Sequence, residues 1–442
     1  MLLLNTCVCR IYNINILKLK IKGGSRLENH IIKPEEKKYL RELAKKKLEI
    51  SGLPVMGERL KAWTDHNDLK GKRPMIWFEP HTVADPGFLP VCKCETPEAR
   101  NIEGQLLISI FNHERIGDDT VVTPDFRCFW NSSFLPFDMP VKKTRAKNSE
   151  GYHIEDQISD LSEQTDLIKH STMTFDRDSS LTWFEFVQNL LGDILNVRMA
   201  SNGFYCVLTN DIVHRMGMEN MLVNMLTCPD EFHFMMDRLS DDYIKYFDTL
   251  EKQNMLCLNN GNDNVAQGTF GFSSQLPPKD FNESHIRTTD LWGFLDSQET
   301  VGISPQQYGE FIFPYYKKVA GKYGLLSYGC CEPVNPIWSD CLSKLDNLRK
   351  VSISPWCDEE YMGQQLKNSN VIYQRKPSPL FVGEGDTLDE AAFREHIRHT
   401  LKCASGCKLE ITFRDVYRLN GDLEKPRRAV EIVRQEIEEH WR

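Results

Sequence analysis

From about residue 72 onward the chain alternates two kinds of segment. Short runs of β-branched, aromatic and aliphatic residues are each followed by a longer stretch with apolar residues at three- and four-residue steps. Strands that alternate with helices are joined by crossovers, and crossovers build a parallel sheet with helices outside it. Nine runs read as strands: 74–79, 121–129, 204–208, 255–260, 289–296, 325–329, 351–354, 371–374 and 409–413. Nine exceeds an ordinary doubly wound sheet and approaches the eight of a (β/α)8 TIM barrel with one run misassigned. The predicted fold is therefore an α/β barrel over residues 72–442.

The helical stretches include 231–252, 305–323, 389–402 and 425–441, the last a C-terminal helix. Ser304-Pro305 opens the second of these as an N-cap followed by proline at the first helical position. Ahead of the barrel, residues 34–71 form an N-terminal helical extension, with Leu40, Leu43, Ala44 and Leu48 at helical spacing. Residues 1–33 lack a clear period, contain Gly23-Gly24-Ser25, and read as a poorly ordered leader. The polar, charge-rich stretch 131–170 interrupts the rhythm as an insertion, placed to shield a site or a partner surface.

Composition excludes several classes of function. Lys plus Arg is 54 against 63 Asp plus Glu, a net charge of −9, so no basic field exists to hold nucleic acid. No apolar run reaches the roughly 18–20 residues that cross a bilayer. The N-terminus has no signal-peptide architecture, so the 14 cysteines are expected as thiols in a reducing cytoplasm, and the sequons at Asn131 and Asn282 as chance matches. Nucleotide-binding, zincin, hydrolase-elbow and zinc-ribbon signatures are missing. The pairs Cys7/Cys9, Cys92/Cys94 and Cys403/Cys407 are too sparse to read as metal sites.

Barrel active sites form at the C-terminal strand ends, and here those ends carry reactive side chains: Glu79-Pro-His81, Asn259 to Asp263, Asp296 to Glu299, Tyr328 to Glu332, Trp356 to Asp358, and Arg414-Asp415. Within LLSYGCCE (325–332), alternation puts Leu326, Tyr328 and Cys330 on one face. Cys330 is either a small buried residue or a thiolate metal ligand, with Glu332, His81 or Cys357 as further donors.

The helix entry ISPQQYGEFIFPYYKKV (303–319), the preceding DLWGFLDSQE, GLLSYGCCEPVNPIW, KVSISPWCD and GCKLEITFRDVYRLNGD together resemble the uroporphyrinogen decarboxylase superfamily, in its long, divergent bacterial members. The resemblance runs from about Pro54 to the C-terminus and implies a (β/α)8 barrel. It also implies a choice of chemistry. The decarboxylases carry an arginine-rich segment after the first strand, where this chain has Glu79-Pro80-His81. The cobalamin-dependent methyltransferases carry His-x-Cys at the sixth strand exit, matched here by Tyr328-Gly329-Cys330, and a further cysteine near the last strand exit, where this chain has Arg414-Asp415.

The resulting expectation is a methyltransferase in corrinoid-linked one-carbon metabolism of an anaerobe, with zinc on Cys330, Glu332, Cys357 and His81 and a corrinoid as methyl donor or acceptor. Glu299, Glu79 and Arg414 are the expected catalytic residues; Tyr328, Asp263 and Trp356 the expected substrate contacts. The partners are a small-molecule substrate and a corrinoid protein. The alternatives are a cofactor-free decarboxylase of a porphyrinogen or other polycarboxylate using Arg414, and a non-enzymatic partner of a corrinoid protein.

Overall fold

The structure is a computed structural model that describes residues 30–145, 152–201 and 204–441. The predicted leader falls almost wholly outside them. Fifteen strands follow in chain order: β1 (Met75–Phe78), β2 (Asp125–Phe129), β3 (Asn131–Leu135), β4 (Lys143–Arg145), β5 (Tyr152–Ile154), β6 (Thr172–Asp176), β7 (Asn196–Ala200), β8 (Tyr205–Cys206), β9 (Asn264–Ala266), β10 (Thr269–Phe270), β11 (Trp292–Leu295), β12 (Leu325–Tyr328), β13 (Leu348–Ile353), β14 (Ile372–Arg375) and β15 (Leu409–Phe413).

Seven of them form one parallel sheet in the order β1-β15-β14-β13-β12-β11-β8. The first strand thus lies beside the last, and helices fill the connections between successive strands. The hydrogen-bonded ladder leaves β1 and β8 as edges, and a separate parallel pair, β2 with β7, stands between them in the chain path. On the edge of β1, Asp119 Oδ2 accepts from Ile76 N–H at 2.9 Å and Asp118 Oδ2 from Phe78 N–H at 2.8 Å. These carboxylates satisfy the edge donors that a neighbouring strand would otherwise take. The molecule is an α/β protein with a large parallel sheet whose strands follow the barrel order.

Four sequence expectations change here. Residues 255–260 are not a strand; instead the side-chain amide of Asn259 bonds Trp292 through both Nδ2–H to its carbonyl and Oδ1 from its N–H, each at 2.9 Å. One amide imitates the peptide a strand would have supplied. The helix expected over 305–323 breaks into Pro305–Phe311 and Phe313–Ala320, because Pro314 has no N–H to continue the ladder and crowds the preceding turn. Strand β7 was not expected. The insertion is not a simple cover: β3 pairs with β6, β4 with β5, and Phe137, Ile158, Leu161 and Ile168 join the main core.

The hairpin β9–β10 packs against one face of the sheet. Its tip, Gly268, accepts through its carbonyl from Thr412 Oγ1 at 3.1 Å and Gln374 Nε2 at 3.3 Å. Gly268 has φ +96°, and a Cβ there would lie 2.4 Å from Thr412 Cγ2 and 2.6 Å from Trp77 Cζ3. Below it, Lys350 Nζ sits 2.7 Å from Glu410 and 2.5 Å from Thr269 Oγ1, between the rings of Trp63 and Trp292. This face of the sheet is therefore covered by protein. Among the described residues, no helix is long and apolar enough to cross a membrane, and every cysteine is a free thiol.

Candidate active site

Parallel strands in consecutive order bring all their C-terminal ends to one side. There the residues that leave β1, β15, β14, β12 and β11 form a buried polar cluster.

Its base is an ion pair: Arg414 Nε meets Glu79 Oε2 at 2.9 Å and Nη2 meets Oε1 at 3.4 Å, with both side chains 1% exposed. Arg414 Nη1 also lies 3.7 Å from the sulfur of Cys330. Lys376, just past β14, donates to the Cys330 carbonyl at 2.8 Å, as does Ser352 Oγ at 2.8 Å. Glu332 accepts from Cys330 N–H at 2.8 Å and from Ser297 N–H at 3.0 Å, tying the exits of β11 and β12 together. Cys331 Sγ lies 3.4 Å from Cys330 Sγ and donates to Asp415 Oδ2 at 3.5 Å.

Gly329 explains how the cysteines reach this place. Its φ of +96° is one that side-chain-bearing residues avoid, and it interrupts the two-residue alternation of β12. Leu326 and Tyr328 face the helix layer, where the Tyr328 hydroxyl meets Ser297 Oγ at 2.5 Å and the Tyr308 hydroxyl at 2.6 Å. After Gly329 the chain turns, and Cys330 faces Arg414 instead. Tyr328 and Cys330 therefore do not share a face, and the tyrosine is a core residue rather than one lining the strand exits.

Two groups in the cluster are pushed in opposite directions. The adjacent Cys331 thiol, with the charges of Lys376 and Arg414, lowers the Cys330 thiol from its usual range. Burial, together with the nearby Cys330, Glu332 and Glu299, raises Asp296 well above the carboxylate range. Asp296 is fully buried, and Tyr205 O–H donates to its Oδ2 at 2.5 Å. Its Oδ1 has no hydrogen-bond partner among the described residues. Opposed shifts of neighbouring groups mark an acid and a base or nucleophile.

The other expected residues divide. Glu299 is buried near Asp296 and raised by burial, with Asn210 Nδ2 donating to one oxygen at 2.7 Å and Thr209 Oγ1 to the other at 2.9 Å. His81 follows Glu79, half-buried, and burial lowers its imidazole against the opposing pull of Glu79. Asp263 is elsewhere: Arg127 of β2 and Arg198 of β7 hold its two oxygens at 3.2 and 3.1 Å. Trp356 is 75% exposed on the loop after β13. Cys357 is buried and accepts from Val334 N–H at 3.3 Å.

The expected zinc donors do not converge. Among the described residues, the one group of three donors close enough to share an ion is Glu436, Glu439 and His440 on the C-terminal helix. Cys330, Glu332, Cys357 and His81 do not form another. Glu332 spends an oxygen on each of two backbone N–H groups, and Cys357 is turned to Val334. The residues as placed do not fit a tetrahedral zinc.

Asp296, Lys376, Cys331 and Tyr205 complete the cluster without having been assigned roles from sequence. Lys376 had a usable signal, since it leaves a strand end just as Arg414 does.

No family model and no curated protein matches the chain. Among solved structures, a methyltransferase from Methanosarcina mazei aligns over 76% of this chain and 84% of its own, at 13% identity and a TM-score of 0.42.

Proposed function

We propose that this protein is a barrel-type enzyme of the uroporphyrinogen decarboxylase kind that transfers a methyl group in corrinoid-linked one-carbon metabolism, with Cys330 as nucleophile and Asp296 as acid. The observation that supports it is the pairing of a thiol lowered by its neighbours with a carboxyl kept neutral beside it. The thiolate is the nucleophilic form of cysteine. It attacks the methyl carbon, an S–C bond forms, and the bond to the carrier breaks with its electron pair leaving on the carrier. Loss of methyl from a corrinoid leaves the electron pair on cobalt and needs no proton; where the methyl departs from an oxygen instead, the Asp296 carboxyl protonates that oxygen. Glu79 and Arg414 position the sulfur, and Glu299 adds to the charge that keeps Asp296 protonated.

The methyl carrier in this reading is a methylated corrinoid, treated as a substrate, and no step passes through zinc. The decarboxylase alternative asks Arg414 to grip a substrate carboxylate, yet Glu79 already occupies that guanidinium.

The test is anaerobic incubation with methylcob(III)alamin and thiol or folate acceptors, following the corrinoid spectrum. Demethylation is expected with the native protein and not with Cys330→Ala. With Asp296→Asn, transfer to or from an oxygen falls at least about tenfold and the alkaline fall in rate disappears. An unchanged corrinoid spectrum while uroporphyrinogen loses carbon dioxide overturns the proposal. Elemental analysis of protein purified without chelator tests the zinc separately.

A further inference from the structure

Cys330 and Cys331 are adjacent in sequence, yet both sulfurs face the strand exits 3.4 Å apart. Neighbouring Cα atoms stand about 3.8 Å apart across a trans peptide, short of the roughly 4.4–6.8 Å that an unstrained disulfide spans. Closing an S–S bond here strains the ring and makes it easy to reduce, so the pair persists as a dithiol. An atom larger than a bond length can bridge the same two sulfurs without that strain. Cys330 is fully buried, but Cys331 is part-exposed, which leaves a way in from the side of Asp415.

We propose that Cys330 and Cys331 form a bidentate site for a soft, thiophilic centre of the trivalent-arsenic type. Binding is a condensation: an arsenoxide hydrate R–As(OH)2 loses both As–O bonds, each sulfur forms one As–S bond, and the two thiol protons leave with the hydroxides as two waters. Nothing is oxidised or reduced. Arg414 supports the Cys330 sulfur at 3.7 Å and Asp415 accepts from Cys331 at 3.5 Å, so both sulfurs are oriented before the ligand arrives. The site shares Cys330 with the methyl-transfer reading but does not rest on it, since it needs neither a corrinoid nor Asp296.

The probe is phenylarsine oxide, added to the full chain without corrinoid and followed by intact mass and by peptide mapping. One adduct is expected on the peptide holding Cys330 and Cys331, removed by a small dithiol and resistant to excess monothiol. Losing one sulfur turns a chelate into a single bond, so Cys331→Ser should weaken binding by about a hundredfold or more. Adduct on Cys92/Cys94 or Cys7/Cys9 instead, release by monothiol, or retention in Cys331→Ser overturns the proposal. If Cys331→Ser does not fold, native protein alkylated at Cys331 gives the same readout. Corrinoid demethylation is assayed apart from the adduct, so either result can fail while the other stands.

Discussion

Replacing Arg414 with Met tests the cluster most sharply, because it removes the cation of a fully buried ion pair. Arg414 and Glu79 are each 1% exposed and 2.9 Å apart. The variant leaves the Glu79 carboxylate buried beside the Cys330 sulfur. Removing one partner of a buried pair costs about 3–5 kcal/mol, whereas replacing both by apolar or neutral groups is often close to neutral. At about 2.1 cal/mol/K of unfolding entropy per residue, 442 residues give about 0.9 kcal/mol/K, so the melting point should fall by about 3–5 °C. The double variant Arg414→Met with Glu79→Gln should recover most of that loss. The thiol distinguishes this from a purely structural effect. Arg414 is one of the groups that lower Cys330, so the pH midpoint for alkylation of Cys330 should rise in Arg414→Met and stay raised in the double variant. Differential scanning calorimetry and iodoacetamide rates against pH measure the two quantities. A single variant that melts like the native protein, or a thiol midpoint that does not move, would refute the reasoning.

Cys330→Ala should lower methyl transfer by at least about a hundredfold, while Cys403→Ala and Cys407→Ala change it less than about twofold; those sulfurs bond His399 and the Gly363 carbonyl at 3.4 and 3.5 Å, away from the strand exits. Gly268→Ala should destabilise by about 2–5 kcal/mol in urea unfolding, from a left-handed φ and a methyl that meets Thr412 and Trp77. Burial alone would raise the Glu410 carboxyl, but Lys350 and His66 overrule it and hold it at about 2 against an ordinary 4.5. Its folded value is depressed, so it contributes up to about 3 kcal/mol above pH 4.5, lost as pH falls toward 2; Glu410→Gln should flatten that acid limb in denaturant midpoints.

The sequence by itself determined the strands that enter the parallel sheet and the side chains that leave them. Short apolar runs between helical stretches fix β1, β11, β12, β13, β14 and β15 to within a few residues, because burial on both faces demands continuous apolar segments. Once strands are parallel and consecutive, their exits share a side, which is why Glu79, Arg414, Cys330 and Glu299 could be named together. Tertiary structure decided the rest. Alternation says which residues share a face but not which face is inside. Gly329, with its positive φ, changes the phase between Tyr328 and Cys330, sending the tyrosine to the helices and the thiol to Arg414. Asn259 replaces a strand peptide with its own side chain, a substitution no periodicity records. Asp296 looks in sequence like any turn carboxylate; only full burial beside Glu299, Glu332 and Cys330 makes it an acid. Ionisation depends on the charges and solvent within a few ångströms, and those neighbours come from two strand exits, those of β11 and β12, that the fold sets side by side.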